Sequence, residues 1–393
     1  MKVNKVNLLE FLINSSRLEV PVFQRKYRWG EKQLKQLWED IEGFIRNPGK
    51  MNHFFGIIVH IERDFNNLTE FKTHYLIDGQ QRLLSISILL AVISDLYGSQ
   101  NLRQNYLYNR IKGDHYPKIK LNKEDYDDYN IVLNEKRELF EKKENHIFKT
   151  YKFFFEEIKN SKLKEKDVLL ALKRFELVDI LLEKEIDNPQ LIFDSLNSTG
   201  LELDRIEQIK NYFLMGLPSI QQTSVYYDYW KPMEEAFNMN NDTKLFERFL
   251  RDYLSIQDFN NSSYDFPDLY QTFYKFYNFK LKYQNSEEII KHIYQYSKYF
   301  LMLFNNDFQE EAAEYIKRIN ALDSEKAYPF LMEVTEDYEK NLITSDIFCE
   351  ILKTIELFIL NHMRSQAEYT VQSFSELSKN ISKMLISGGI ATS

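Results

Sequence analysis

The sequence predicts an α+β protein: a small α/β domain at the N-terminus, then a large all-helical domain. Three observations carry this reading. The segments that read as strands end by residue 185. From residue 218 onward, apolar residues recur at helical spacing alone. Eleven Gly and eight Pro among 393 residues suit long helices with short connections better than a β-sandwich.

Taken in order, residues 6–12 predict a short helix and Leu18–Val22 a brief extended segment. In EKQLKQLWEDIEGFI, Leu34, Leu37, Trp38, Ile41 and Phe44 or Ile45 fall on one helical face, and Asn47-Pro48-Gly49 stops the helix. HFFGIIVHI, from His53, and the run His74–Ile77 read as strands. From about 98 to 170 the chain reads as helical and highly charged. FELVDILLEKE (175–185) is a further strand, for which the N-terminal sheet is the nearest partner. Asn188-Pro189 opens a helix, and Asp204 with Glu207 has the spacing of a capping box. The expected division is 1–97 as an α/β domain with a phosphate-binding turn and 98–217 as a helical insertion plus a strand and helices packing back on it. Residues 218–393 form the all-helical part.

Length and a hydrophobic share of 44% give ample capacity for a core. The single cysteine, Cys349, excludes an intramolecular disulfide and a cysteine-based zinc site, and suits a reducing cytoplasm. No segment reads as a signal peptide, and the apolar run Leu83–Ile93, interrupted by two serines, is too short to span a bilayer. The net charge of −8 argues against a surface that attracts nucleic acid everywhere. Residues 1–82 nevertheless hold 13 Lys/Arg against 10 Asp/Glu, a balance of +3 that leaves −11 for the rest. Arg25, Lys26, Arg28, Lys32 and Lys35 cluster there, either as a phosphate-binding patch or as a solvated face.

The stretch YLIDGQQRLLSISILLAVI places Asp78, Gly79, Gln80, Gln81 and Arg82 between a strand and an apolar helix. Gly79 permits a sharp turn and close approach of a ligand. The first turn of the helix offers free N–H groups and the positive dipole end, where an arginine is unfavourable unless an anion is bound. Arg82 can grip a phosphate bidentately; Asp78 can accept from a ribose hydroxyl, hold Mg²⁺ through water, or orient a water. A polar turn between two core elements is the competing reading. In VPVFQRKYRW, Gln24, Arg25, Tyr27, Arg28 and Trp29 suit a phosphate and a stacked base, and equally a structural turn in which Trp29 is core.

VPVFQRKYRWGEKQLKQLWEDI, HFFGIIV, YLIDGQQRLLSISILLAVI and IFDSLNSTGLELDRIEQIKNYF follow one another at spacings that resemble the N-terminal domain of GmrSD-type modification-dependent restriction enzymes, a group including SspE-like phage-defence proteins. The core of that domain is related to the ParB/sulfiredoxin fold. The motifs cover roughly residues 8–216. The resemblance implies a domain that binds and hydrolyses a nucleoside triphosphate with Mg²⁺ and couples this to recognition of modified phage DNA. Carried over by motif, Asp78, Gln81 and Arg82 would be catalytic, with Asp78 at the metal. Gln24, Arg25, Tyr27, Gly79, Gln80, Arg82 and Asn197 would bind the nucleotide, with Gly200 and Lys210 in the same third motif as Asn197. DNA would meet Arg28, Lys32 and Lys35. An HNH nuclease domain or subunit in trans and a homo-oligomer are further expected partners; a membrane is not.

None of the seven histidines sits in the His-Ile-x-Pro context of an HNH nuclease, so DNA cleavage by this chain alone is not expected. GFIRNPGKM fails as a P-loop on glycine spacing and on Met51 in place of Ser/Thr. Glu141-Lys142-Lys143 lacks the strand of a restriction-type ExK site. Cys349 reads as an inert core thiol, and His60 and His74 as packed strand residues rather than general bases. A ParB-like nucleotide-dependent DNA-binding module without turnover, and a structural subunit that docks a nuclease, stay open as alternatives.

Overall fold

The computed structural model describes the chain apart from residues 48, 50, 51, 64–71, 112, 135–143, 162, 184, 185, 188, 190, 191, 193–203, 240–242, 258–267, 323, 324, 366–372 and 374–393. Its strands are β1 (Lys2–Asn7), β2 (Arg17–Glu19), β3 (His53–Glu62), β4 (Thr73–Asp78), β5 (Tyr108–Ile111), β6 (Asp114–Pro117), β7 (Ile119–Lys120) and β8 (Phe175–Leu182). Six of them pair in the order β1-β8-β3-β4-β2-β7, and β5 and β6 form a separate hairpin. β8 lies antiparallel to β1 and parallel to β3; β3 and β4 are antiparallel; β2 is parallel to both β4 and β7. The strand expected at 175–185 thus pairs within the N-terminal sheet. Asn7, at the end of β1, caps α1 (Leu8–Asn14) by accepting from the N–H groups of Leu9 and Glu10.

Residues 98–170 are not wholly helical, as the charge pattern suggested. Gly113, with φ +97°, turns the β5–β6 hairpin. β7 is held by Leu18 N–H to Lys118 O at 2.7 Å and Val20 N–H to Lys120 O at 2.8 Å. Backbone pairing decides these short strands, and polar side chains hide them from a hydrophobicity pattern.

Helix α2 (Glu31–Arg46) buries Leu34, Leu37, Trp38, Ile41 and Phe44, as its spacing predicts. At ~2 kcal/mol each this face contributes on the order of 10 kcal/mol before chain entropy opposes it. α3 (Gln80–Tyr97) is enclosed on all sides between Leu83 and Ser94, as an all-apolar helix must be. The serines in it are satisfied: Ser85 Oγ lies 2.6 Å from Tyr27 Oη, and Ser87 Oγ pairs with Tyr129 Oη. α4 (Lys123–Leu133), α5 (His146–Ser161) and α6 (Glu165–Leu172) follow; α3 packs on α5 and α2 on α6.

The chain divides into two compact units, Met1–Glu202 with Leu214–Thr223, and Leu203–Phe213 with Ser224–Ser393. From residue 218 on, the described elements are all helical. They include α8 (Thr243–Ser255), α9 (Leu269–Lys280), α10 (Ser286–Asn305) and α11 (Ser345–Ser365), preceded by α7 (Arg205–Met215). Asp204 accepts from Glu207 N–H at 2.7 Å, the N-cap expected for α7. Cys349 is buried in α11, where burial raises its thiol pKa, the setting of an unreactive core residue. No described helix is long and apolar enough to cross a membrane.

Candidate functional site: the strand–turn–helix at Gly79

β4 ends at Asp78 and α3 begins at Gln80, with Gly79 between them at φ +95°, ψ 3°. A side chain here would need the disfavoured left-handed region, and its Cβ would approach Ile57 O to 3.0 Å and run into the Ile58 side chain. Glycine therefore lets β4 turn tightly against β3. It also leaves the first turn of α3 with no capping side chain. The N–H groups of that turn and the positive end of the helix are thus available to an anion.

Asp78 and Arg82 flank the turn, with side chains 29% and 32% exposed. Arg82 Nη1 donates to Ile57 O at 3.2 Å and lies 3.8 Å from Asp78 Oδ2. Such a half-exposed pair contributes less than about 1 kcal/mol, and a cation in the first turn opposes the helix dipole by a similar amount. Stability alone gives Arg82 little reason to be there. Its guanidinium lies over Gly56 of β3, where a Cβ would come within 3.0 Å of Cζ and Nε. β3 shifts register beside Gly56 against β8, and again between Val59 and His60 near Asp78. Bulges of this kind re-aim side chains next to functional sites.

The loop 20–29 is laced to the turn. Gln80 Nε2 donates to Gln24 Oε1 and to Arg25 O, both at 3.3 Å. Gln24 is buried and donates to Ile77 O at 3.1 Å. Gln81, also buried, accepts from Arg28 N–H at 2.8 Å and donates to Lys26 O at 3.2 Å. Tyr27 is 3% exposed; its hydroxyl lies 2.6 Å from Ser85 Oγ and accepts from Thr150 at 3.2 Å, and burial pushes its pKa up to about 12. Asp125 Oδ2 accepts from Tyr27 N–H at 2.7 Å, and Asn122 Nδ2 donates to Gln24 O at 3.3 Å. Burial raises the Asp125 carboxyl pKa, while the Tyr27 N–H opposes that rise.

The residues expected at the site therefore separate. Asp78, Gln80, Arg82 and half-buried Arg25 stand at its partly open edge, with Gly79 shaping the turn. Gln81 and Tyr27, expected as a catalytic group and a nucleotide contact, are occupied in bracing the loop. The internal space among Arg25, Tyr27, Gln80, Gln81 and Asp125 is ≈ 10 Å³, room for one water at most. Trp29 is half-buried and packs against the core. Arg28, Lys32 and Lys35 are exposed, and Lys35 is engaged by Glu31 at 2.5 Å. Asn197 and Gly200 lie outside the described residues; Lys210 is buried in the second unit with Nζ 2.9 Å from Glu234.

His60 and His74 are not solitary packed residues. His60 Nε2 lies 2.6 Å from Asp179 Oδ1, and its Nδ1 lies 2.7 Å from His74 Nδ1. They line a cavity of ≈ 310 Å³ with Asp179, Phe11 and Leu18. Burial, then His60, pushes the His74 pKa down to about 4, which keeps it neutral at pH 7.

Gly56, Asn122, Asp125 and Thr150 support the site without having been singled out from sequence. Glycine inside the strand run HFFGIIV is the one available signal, since such a glycine marks a bulge or a close approach. Among the described residues no group of three or more His, Cys, Asp or Glu could hold a metal. A Mg²⁺ here would depend on Asp78 together with phosphate oxygens and water, a donor set this ion accepts.

No curated protein matches the chain. Residues 8–214 of the 393 match the family described as GmrSD restriction endonuclease, N-terminal domain. That span contains the turn, the bracing loop and the distorted strand β3, and the chain belongs to this restriction endonuclease family.

Proposed function

We propose that the first unit is the nucleotide-responsive part of a restriction system, binding a nucleoside triphosphate with Mg²⁺ at the Gly79–Arg82 turn and coupling its hydrolysis to DNA recognition. One observation carries the reading: Arg82 stands, half-exposed beside Asp78, at an uncapped helix start where a cation is unfavourable without an anion. The N–H groups of the first turn hold phosphate oxygens, and Arg82 and Arg25 neutralise their charge. Gln80 orients the phosphates from the loop side. Asp78 would hold Mg²⁺ through water, or would accept a proton from an attacking water. Bound Mg²⁺ supplies charge neutralisation at the phosphates. With ≈ 10 Å³ of internal space, the nucleotide lies along the outer surface of the turn unless loop 20–29 moves. Arg28 and Lys32 face DNA, with Lys35 contributing once it is released from Glu31.

A second reading, nucleotide-switched DNA binding without turnover, is favoured by Gln81. Both ends of its buried amide are engaged by the loop, which orients Gln81 toward the loop rather than toward an attacking water. Nucleotide binding would then change loop 20–29 through Gln80 and Gln81. Phosphate release from ATP, GTP, CTP and UTP, with and without DNA, decides between the two. Turnover in the wild type that Arg82→Ala abolishes supports hydrolysis at this turn. Saturable binding without release supports the switch. Release that persists undiminished in Arg82→Ala would remove the turn from either account.

A further inference from the structure

Helix α9 buries Leu269, Thr272, Phe273, Phe276 and Tyr277 and turns a different set outward. Tyr274, Lys275, Asn278 and Phe279 recur four apart on the exposed face, and Lys282 and Tyr283 continue that stripe into the following turn. The exposed aromatics are large: Tyr274 is 41%, Phe279 38% and Tyr283 74% accessible. They are not scattered. The Phe279 and Tyr283 rings lie 5.6 Å apart, and Tyr274 rests 5.0 Å from Tyr212 of α7, whose hydroxyl accepts from Asn278 at 2.6 Å. The stripe runs about 14 Å at helical rise.

Its charge is one-sided. Residues 269–286 contain Lys275, Lys280 and Lys282 and no Asp or Glu, in a chain of net charge −8. Helix stability accounts for Lys280, which sits at the negative end of α9 and 5.8 Å from the Phe276 ring. It does not account for Lys275 and Lys282, which make no ion pair among the described residues. The adjoining carboxylates have other engagements. Asp268 caps the far end of α9, Glu288 caps α10 through Asn285 N–H, and Glu287 lies 3.5 Å from Tyr229 Oη.

We propose that this face of α9 is a binding surface for single-stranded nucleic acid, with Lys275, Lys280 and Lys282 on phosphates and Tyr274, Phe279 and Tyr283 stacking on unpaired bases. Exposed lysines meet the backbone without regard to sequence, and aromatic faces stack only on bases that are not enclosed in a duplex. Arg28, Lys32 and Lys35 offer the other half of such chemistry, charge, on a surface where Trp29 is partly buried and packed against the core. The proposed surface belongs to the second unit, outside the family-matched residues 8–214, and does not depend on nucleotide binding at Gly79.

Fluorescence anisotropy of the full chain with a labelled oligothymidylate, and with a duplex of equal length, tests it. Lys275→Glu/Lys282→Glu is expected to weaken oligothymidylate binding at least ~10-fold and to lower the salt slope by about 1.4, at about 0.7 per lost phosphate contact. Tyr283→Ala is expected to weaken it ~5-fold or more with the salt slope unchanged, as loss of a stacking contact requires. All three side chains are exposed, so the melting temperature should not move. Arg28→Ala serves as the separate probe of the first unit. Unchanged affinity in both α9 variants, or a wild-type preference for the duplex, would overturn the proposal whatever Arg28→Ala does.

Discussion

At its beginning, strand β4 encloses His74 against His60 and Asp179; at its end, it leaves Asp78 partly exposed beside Arg82, next to the buried Gly79. Both ends carry titratable groups beside a β3 partner, yet they are built for different tasks. At the His74 end the groups are closed on one another, and His74 is neutral with Nε2 left unpartnered and buried. At the Gly79 end the ion pair is loose, the helix start is uncapped and a third of each side chain is exposed. The glutamines repeat the contrast at adjacent positions, Gln81 wholly absorbed by the loop and Gln80 at the edge. Residue type does not separate brace from site in this protein; burial does, with His60, His74 and Gln81 enclosed and Asp78, Gln80 and Arg82 partly exposed.

The largest expected effect breaks the open end itself. Gly79→Ala places a Cβ against Ile57 O in a left-handed conformation, and should cost about 3 kcal/mol or more. For a unit of this size that lowers the melting temperature by roughly 6–12 °C, read by thermal denaturation.

The closed end should reveal itself through pH. The folded pKa of His74 is about 4 against an ordinary 6.5, so the unfolded chain takes up its proton first as pH falls. The stabilisation is complete above pH 6.5 and is lost progressively down to pH 4. It amounts to at most about 3 kcal/mol, reduced by water in the adjoining cavity. Urea unfolding across that range should show the slope in wild type and a flatter curve in His74→Phe; identical slopes would mean that His74 is not held neutral.

A smaller effect distinguishes the glutamines from the arginine. Gln81→Ala leaves Arg28 N–H and Lys26 O without their partner and should cost about 1–3 kcal/mol. Arg82→Ala removes a loose ion pair and a hydrogen bond to Ile57 O at the partly open edge, where water can replace it, and should cost about 1 kcal/mol. Equal destabilisation in the two would erase the distinction between brace and site.

Much of this arrangement was legible in the sequence. The strand at HFFGIIVHI, the handover at IDGQQR and the apolar face of α2 are local patterns, and local patterns survive reading. β1 was not seen because KVNKVN is short, polar and at a sheet edge. β5 to β7 were hidden in a charged stretch, where pairing rather than hydrophobicity makes the strand. The two serines that interrupt the apolar run of α3 are the partners of Tyr27 and Tyr129, which no local pattern shows. Gly56 could be read only as a strand glycine, because its neighbour Arg82 arrives from 26 residues away. Asn122 and Asp125 brace loop 20–29 from about a hundred residues on, beyond the reach of any spacing rule.

Direct nucleotide binding tests the central claim, that Gly79–Arg82 is a phosphate site. Calorimetric titration of the full chain with each Mg²⁺–nucleoside triphosphate should show saturable binding of at least one, weakened ~10-fold or more in Arg82→Ala, as loss of a charge-assisted phosphate contact requires. The melting temperature of that variant without nucleotide should stay within a few degrees of wild type. Binding as tight in Arg82→Ala as in wild type, or no binding of any of the four nucleotides, would contradict the account.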